Sequence, residues 1–463
     1  MPPQIKPRRV AEIMLASLGL NLVSCTELQV LWAGYGHICA VTAKATDGKT
    51  AARLAQVCGD PEAATSHTFH LILKLISPPR SNGAGDEGHL RKMLSYHVEQ
   101  YFYDEITPSL EDDVAVATCL TSTRHLNGQP HAEELQGLTA TIMTDLRPKF
   151  PVAGEKRSLL DFRQVHASLE WLAKFHSSSW KMLPDDLSKF VLPPLEEIKR
   201  RESHPDTTEQ KLWLNGGYTY LATRRNEYAF LEGESYSEWS EAFCAPAGDS
   251  LSSIADMVAD FLTPCGRPLE TYIHGDVKSE NLFTTESGDK VAFFDFQYVG
   301  LGLGVCDLAK LFTCSVPMSM LNRGDAIPNE LSMQEDERTL LERYRKTLLD
   351  RRPAGRDIDY PVDVFNRHWE TALVDWCRFQ ASWGFWGNTQ WLEARVRSIL
   401  QDKGWRDWLR QEVSNLPSAA HLKPLSMLPL NGHGRRTLFS GGFKDTGSTT
   451  RSARCRWCRI HTR

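Results

Sequence analysis

His274-Gly275-Asp276-Val277-Lys278-Ser279-Glu280-Asn281, followed shortly by Val291-Ala292-Phe293-Phe294-Asp295-Phe296-Gln297, is the stretch on which the reading of this chain turns. Phosphoryl transfer to a hydroxyl needs one carboxylate beside the acceptor and separate oxygen ligands for the magnesium ions that neutralise nucleotide phosphates. Asp276 suits the first place; Asn281 and Asp295 suit the second. Asp295 sits in an apolar run, so a short buried strand is expected to deliver it, and a carboxylate buried there calls for a cation as partner. Taken singly, each residue is equally an ordinary loop or strand-end residue. Their order, with a strand between them, sets the pair apart.

These two segments resemble the aminoglycoside-phosphotransferase and choline-kinase superfamily, nearest its ecdysteroid-kinase-like branch of the fungal type, and the resemblance runs from about Val10 to about Asp407. It implies an α+β, bilobal, protein-kinase-like fold: an N-terminal lobe with an antiparallel sheet and one main helix, and a larger, mainly helical C-terminal lobe. Expected boundaries are 1–145 for the nucleotide lobe, 146–416 for the catalytic and acceptor lobe, and 417–463 for a basic tail. Protein kinases write the loop as H-R-D-x-x-x-x-N and the metal turn as D-F-G; here Gly275 replaces the Arg and Gln297 the Gly. The short path from Asp295 to Cys306-Asp307-Leu308-Ala309-Lys310, with no Ala-Pro-Glu sequence after it, is too brief for a protein-kinase activation segment. A small-molecule acceptor is therefore expected. Lys278 matches a lysine that faces the transferred phosphate in serine/threonine kinases, where it would stabilise transition-state charge; the alternative is a solvated loop lysine. By the same resemblance Asp307 braces the catalytic loop, and His176 is a buried, hydrogen-bonded support for it.

ATP binding requires a phosphate lid, a lysine and a carboxylate to hold that lysine. Gly34 and Gly36, in Leu31-Trp32-Ala33-Gly34-Tyr35-Gly36, would let backbone amides approach phosphates, though a plain hairpin explains them as well. Lys74 interrupts the strand-like run Phe69-His70-Leu71-Ile72-Leu73-Lys74-Leu75-Ile76, where it either meets an anion or points to water from an edge strand. Glu99 falls in a helical pattern in which Leu94, Val98 and Tyr101 share a face; it matches the superfamily's lysine-pairing glutamate, the alternative being a solvated carboxylate. Leu138 to Leu146 resembles the strand and hinge between the lobes, with adenine bonded to backbone near Thr144 and Leu146. Asp145 faces the ribose or starts the turn before Arg147-Pro148.

Farther along, Phe162, Val165, Leu169, Leu172 and Phe175 recur at helical spacing and predict a core helix. Between about Pro193 and Ser250 the chain turns charged and aromatic, which suits either helices shaping an acceptor site or a solvated helical hairpin. Trp369, Trp376, Phe379 and Trp383 form one helical stripe, a core face or a pocket wall. As a wall it would hold an amine-bearing acceptor through cation–π contact or an apolar alcohol by burial.

Composition bounds the rest. With 53 Lys and Arg against 58 Asp and Glu, the formal net charge of −5 gives no global attraction to nucleic acid or anionic membrane. No apolar run reaches a membrane-spanning length, and Glu12 within the N-terminal apolar stretch argues for a short amphipathic helix rather than a cleaved leader. The 11 cysteines, mostly unpaired in spacing, read as small buried residues of a reduced, cytoplasmic protein; Cys455 and Cys458 lack the second pair of a zinc site. The Gly-, Ser- and Arg-rich end from Asn431 reads as disordered. The expected activity is ATP- and Mg2+-dependent phosphorylation of a small molecule, against a pseudokinase or scaffold that keeps the fold without transfer, and a protein kinase.

Overall fold

The structure, a computed structural model, describes residues 5–31, 34–78, 86–204, 211–247, 251–324, 326–355 and 358–416. The expected tail and the Cys455/Cys458 pair lie outside these residues, as do Trp32 and Ala33. Helix α1 (Pro7–Ala16) leads into β1 (Leu20–Val30) and β2 (Gly36–Ala45), which are followed by α2 (Gly48–Cys58), α3 (Pro61–Ser66) and β3 (Thr68–Ile76). Proline within the first turn of α1 presets its backbone angle, and Val10, Ile13, Met14 and Leu15 give it the apolar face that packs on the sheet. Next come α4 (Glu87–Tyr101), capped by the Asp86 side chain, then β4 (Cys119–Ser122) and β5 (Thr139–Thr144).

The five strands form one antiparallel sheet in the order β1-β2-β3-β5-β4. β3 is therefore central, and Lys74 sits in it opposite Ile38 of β2 and Thr141 of β5. An edge-strand lysine is ruled out by that register. Alternation along β2 and β3 sends Cys39, Val41, Leu71, Leu73 and Leu75 into a core shared with α1 and α2.

A second, larger core holds the rest of the chain. After β6 (Val152–Ala153) comes α5 (Phe162–Ser179), opened by a reciprocal capping box between Asp161 and Gln164. Val165, Leu169, Leu172 and Phe175 are buried as expected, whereas Phe162 is 66% exposed because it occupies the first turn, clear of the core. The charged region forms α6 (Pro194–Ser203), α7 (Arg225–Gly233) and α8 (Glu238–Cys244), and α9 (Ile254–Leu262) precedes β7 (Glu270–Ile273). Strands β8 (Leu282–Thr284) and β9 (Val291–Phe293) pair as a hairpin with β6 at its side, while β10 (Gly300–Leu303) pairs with β7. Helices α10 (Val305–Cys314), α11 (Glu335–Asp350), α12 (Val362–Trp383), α13 (Thr389–Gln401) and α14 (Lys403–Asn415) complete the helical part.

Among the described residues no helix is long and apolar enough to cross a membrane. The nine described cysteines are free; Cys39 and Cys377 are fully buried, as expected, and the other seven are only partly buried.

Candidate active site

The β8–β9 hairpin explains why Asn281 and Asp295 meet. Leu282 pairs with Phe293, so the residues just outside the ladder, Asn281 and Phe294, stand side by side, joined by the Phe294 N–H to the Asn281 carbonyl at 3.0 Å. One residue on, Asp295 adopts φ +66°, a left-handed conformation that aspartate tolerates better than most residues. Its neighbour Phe296 locks the turn: it stacks on Phe102 with ring centres 4.0 Å apart and lies 4.6 Å from the His274 ring. The helix-side aromatics thus hold the turn in place, and Gln297 stands where a glycine would have loosened it.

The loop that carries Asp276 leaves β7 and turns at Gly275, where φ is +83°. A Cβ there would come within 2.4 Å of the Tyr298 carbonyl oxygen and 2.6 Å of the Gly217 nitrogen, so no side chain fits and the arginine of protein kinases has no room. Asp307 receives the His274 N–H at 2.7 Å and the Gly275 N–H at 2.9 Å. His176 reaches the same carboxylate at 3.2 Å and Tyr344 at 2.7 Å, so the expected brace and its supporting histidine are both in place. Burial alone would raise the Asp307 pKa; its bond to His176 and the nearby charges of His176 and Lys310 outweigh that and lower it. His274 is pushed down by burial, hence neutral. Its tautomer follows from its partners: Nε2 faces the Phe294 carbonyl at 3.0 Å and must donate, while Nδ1 accepts the Asp276 N–H at 3.2 Å.

Asp276 Oδ2 accepts from Asn281 Nδ2 at 2.9 Å and stands 3.1 Å from Lys278 Nζ. Asn281 Nδ2 also donates to the Asp276 carbonyl at 2.8 Å, which commits the nitrogen end of the amide and leaves the oxygen end as a hard donor atom. Lys278 is shared with Glu280 at 3.1 Å. Burial works against its ammonium, but Asp276, Tyr218 and Glu280 outweigh it and hold its pKa far above that of an ordinary lysine.

Across the cleft, Lys74 Nζ lies 2.5 Å from Glu99 Oε2 and 3.2 Å from Asp295 Oδ1. Burial pushes Glu99 up to about 7, against the pull of Lys74. The same burial disfavours the Lys74 ammonium, yet Glu99 and Asp295 together hold its pKa above the ordinary lysine value. The lysine is the fixed charge of the trio, and Glu99 is 4% exposed rather than solvated. Lys74, Glu99, Asp276, Lys278, Glu280, Asn281 and Asp295 all line one cleft of about 2460 Å³.

The donor set at its centre, one carboxylate and one amide oxygen of a neighbouring hairpin end with a second carboxylate beside them, has the oxygen chemistry that magnesium prefers. No group of three His, Cys, Asp or Glu side chains converges on a single point among the described residues, so such an ion would complete its shell from phosphates and water, as magnesium commonly does.

The sequence model of the ecdysteroid kinase-like family matches residues 53–326, a span that takes in Lys74, Glu99, Asp276, Asn281, Asp295 and Asp307. The chain belongs to the ecdysteroid kinase-like family. Solved structures similar to this family member include an ethanolamine kinase from Plasmodium vivax (11% identity, TM-score 0.35, 86% of this chain and 87% of that one). A macrolide 2'-phosphotransferase from Brachybacterium faecium (13%, 0.35, 84% and 95%) and a choline kinase from Cryptosporidium parvum (8%, 0.34, 86% and 87%) are also similar. No curated protein sequence matches the chain.

The remaining expected residues of this ecdysteroid kinase-like chain divide. Gly34 (φ +73°) and Gly36 sit at the β1–β2 turn, but neither lines the cleft; Leu28, Val30, Leu31 and Ile38 from the flanking strands do. Gly36 answers instead to sheet packing, since a Cβ there would stand 2.0 Å from the Leu75 carbonyl oxygen. Thr144 and Leu146 both line the cleft. The Thr144 N–H, however, is already donated to the Thr118 carbonyl at 3.0 Å, and the Leu146 carbonyl accepts from both Lys149 and Phe150. Asp145 is bound to Arg147 through both carboxylate oxygens and starts the turn.

The charged region shapes the cleft: Leu195, Tyr218, Arg224 and Glu227 line it. Of the aromatic stripe, Trp369 and Phe379 are fully buried core residues, while Trp376 and Trp383 reach the cleft, joined by Trp386. Tyr218, Arg224, Tyr298 and Lys310 were not singled out by the sequence reading. The one available signal was Lys310, a lysine inside the apolar-periodic helix that follows Asp307.

Proposed function

We propose that this protein is a small-molecule kinase that transfers the terminal phosphate of ATP, with Mg2+, to a hydroxyl of an organic acceptor. The observation that carries this reading is the meeting of two sets in one cleft: Lys74 and Glu99 from one wall, Asp276, Lys278, Asn281 and Asp295 from the other, with Lys74 reaching Asp295 between them. The lobe up to residue 145 holds the nucleotide, and residues 146–416 carry the catalytic and acceptor groups. Lys74, held by Glu99, binds the nucleotide phosphates. Gly34 and Gly36 act on the nucleotide indirectly, by shaping the β1–β2 turn whose flanking strands line the cleft. The Leu146 N–H, beside Thr144 and without a hydrogen-bond acceptor among the described residues, is the main-chain donor for adenine. Asn281 and Asp295 hold the magnesium, which when bound neutralises phosphate charge.

Asp276 orients the acceptor. Its Oδ2 is occupied by Asn281 and Lys278, so Oδ1 faces the hydroxyl and takes its proton as the new O–P bond forms and the bond from that phosphorus to the bridging oxygen of ADP breaks. Lys278 lies beside the forming bond and offsets negative charge on the transferred group. The nine cysteines among the described residues are all free, which suits a protein working in the reducing cytoplasm.

The test is incubation of the purified protein with magnesium, ATP and a metabolite extract, followed by mass spectrometry for a species that gains one phosphate. Asp276→Asn is expected to lower turnover by about 10²- to 10⁴-fold, the usual contribution of a general base, with nucleotide affinity nearly unchanged. Equal turnover by Asp276→Asn and wild type would remove Asp276 as the base.

A further inference from the structure

Beside the catalytic loop the cleft is walled by Tyr218, Trp376, Trp383 and Trp386. Three of these four rings, Tyr218, Trp376 and Trp383, already have one of the protein's own cations beside them. The Arg224 guanidinium lies 5.8 Å from the Tyr218 ring centre, 5.5 Å from Phe379 and 5.0 Å from Trp383, and Lys310 Nζ lies 5.7 Å from Trp376. An ammonium-bearing acceptor would therefore meet like charge where an aromatic cage would have to attract it.

The two resident cations differ in their partners. Arg224 has Glu227 at 3.0 Å and the Tyr218 carbonyl at 2.7 Å. Lys310 is only 4% exposed, yet its one hydrogen bond among the described residues is to the Cys306 carbonyl, 3.4 Å away and one turn back on the same helix. Asp307 feels it only at longer range. Trp376, against which Lys310 packs, carries a buried indole N–H with no acceptor among the described residues. This corner holds donors in excess of acceptors, a costly arrangement unless something supplies an anion. It also adjoins the chemistry: a Cβ on Gly217 would stand 3.4 Å from Lys310 Nζ and 3.5 Å from the Gly275 carbonyl oxygen.

We propose that the acceptor is a hydroxylated molecule with an apolar or aromatic body and a carboxylate, and that Lys310 binds this carboxylate while the aromatic wall covers the body. The inference rests on the kinase reading above for the identity of the cleft. Arg224 keeps its bond to Glu227 and repels cationic competitors; the hydroxyl faces Asp276 from the opposite end of the ligand.

Binding is read by titration calorimetry without nucleotide, using para-hydroxymethylbenzoate, its methyl ester and para-hydroxymethylbenzylamine. The benzoate is expected to bind about tenfold more tightly than either analogue, the ratio set by one charge-assisted contact. Lys310→Met should erase that preference without changing the ester's affinity, and Lys310→Arg should retain it. Equal affinity of acid and ester, tighter binding of the amine, a preference that survives Lys310→Met, or failure of all three to bind at millimolar concentration overturns the proposal. The comparison of acid with ester in the wild type needs no variant, so a misfolded Lys310→Met leaves the test intact. Because the titration is done without ATP it reads Lys310 alone; if an acid that binds through Lys310 gains no phosphate once magnesium and ATP are added, the transfer reading alone fails.

Discussion

Gly275 shows how a single position can decide what kind of loop this is. Its φ of +83° and the main-chain atoms at 2.4 and 2.6 Å from a notional Cβ leave no latitude for a side chain, and those atoms cannot rotate away as a flexible side chain would. Gly275→Ala is expected to lose about 3 kcal/mol of stability, from left-handed strain together with overpacking. Urea unfolding followed by circular dichroism measures it; a loss below about 1 kcal/mol, the ordinary cost of a glycine exchange, would show that the loop can move away from Gly217 and Tyr298. The same reasoning separates this protein from protein kinases on steric grounds. An arginine at 275 is excluded by the approach of the Gly217 and Tyr298 backbones, whatever the mode of control.

At the scale of elements, two buried polar assemblies tie helices to the catalytic strands. One is the Asp307 brace, which connects α10 to the loop after β7 and, through His176 and Tyr344, to α5 and α11. The other lies deeper: Glu337 on α11 accepts from Arg395 Nε on α13 at 3.1 and 3.0 Å and from Trp369 Nε1 on α12 at 2.8 Å, and both charged residues are at most 1% exposed. One carboxylate thus fixes three helices, two of which flank the aromatic wall. Glu337→Ala leaves the Arg395 charge buried and unpaired, so it is expected to cost about 3–5 kcal/mol, whereas breaking an exposed, solvent-screened pair such as Lys403–Asp407 is expected to have little effect. Parallel denaturation of Glu337→Ala and Asp407→Ala checks the contrast. Equal small losses in both would mean that α11, α12 and α13 are held by apolar packing alone.

Across the whole molecule, legibility in the sequence followed chemistry that is local in the chain. Asp276, Asn281 and Asp295 could be read because one short loop and the hairpin that follows it position them, and Lys74 because a lysine is out of place in an apolar strand. Tyr218 and Arg224 could not, because they meet Lys310 only when the loop before α7, α10 and α12 pack together; Lys310 is marked locally as a lysine in an apolar helix, but nothing near it in the chain signals that meeting. Gly36 was legible as a glycine that matters but not as one serving the sheet, since the Leu75 carbonyl that excludes its Cβ is distant in sequence. A global consequence of the same packing is the burial of histidines away from the cleft centre. Burial, reinforced by Arg201 and Arg124, lowers His97 from 6.5 to about 4; burial and Arg267 lower His368 from 6.5 to about 3. Both folded values are depressed, so the unfolded chain binds more protons below pH 6.5, and the stability present above that pH is lost as pH falls towards 4 and 3. Between pH 7 and pH 5 each histidine is expected to withdraw about 2 kcal/mol. His368, bonded through Nδ1 to the Tyr360 hydroxyl at 2.7 Å, is the cleaner probe. Urea midpoints at pH 7, 6 and 5 should fall more steeply for the wild type than for His368→Gln, with the two curves approaching each other as pH drops; parallel curves would show that His368 takes up its proton equally well folded and unfolded.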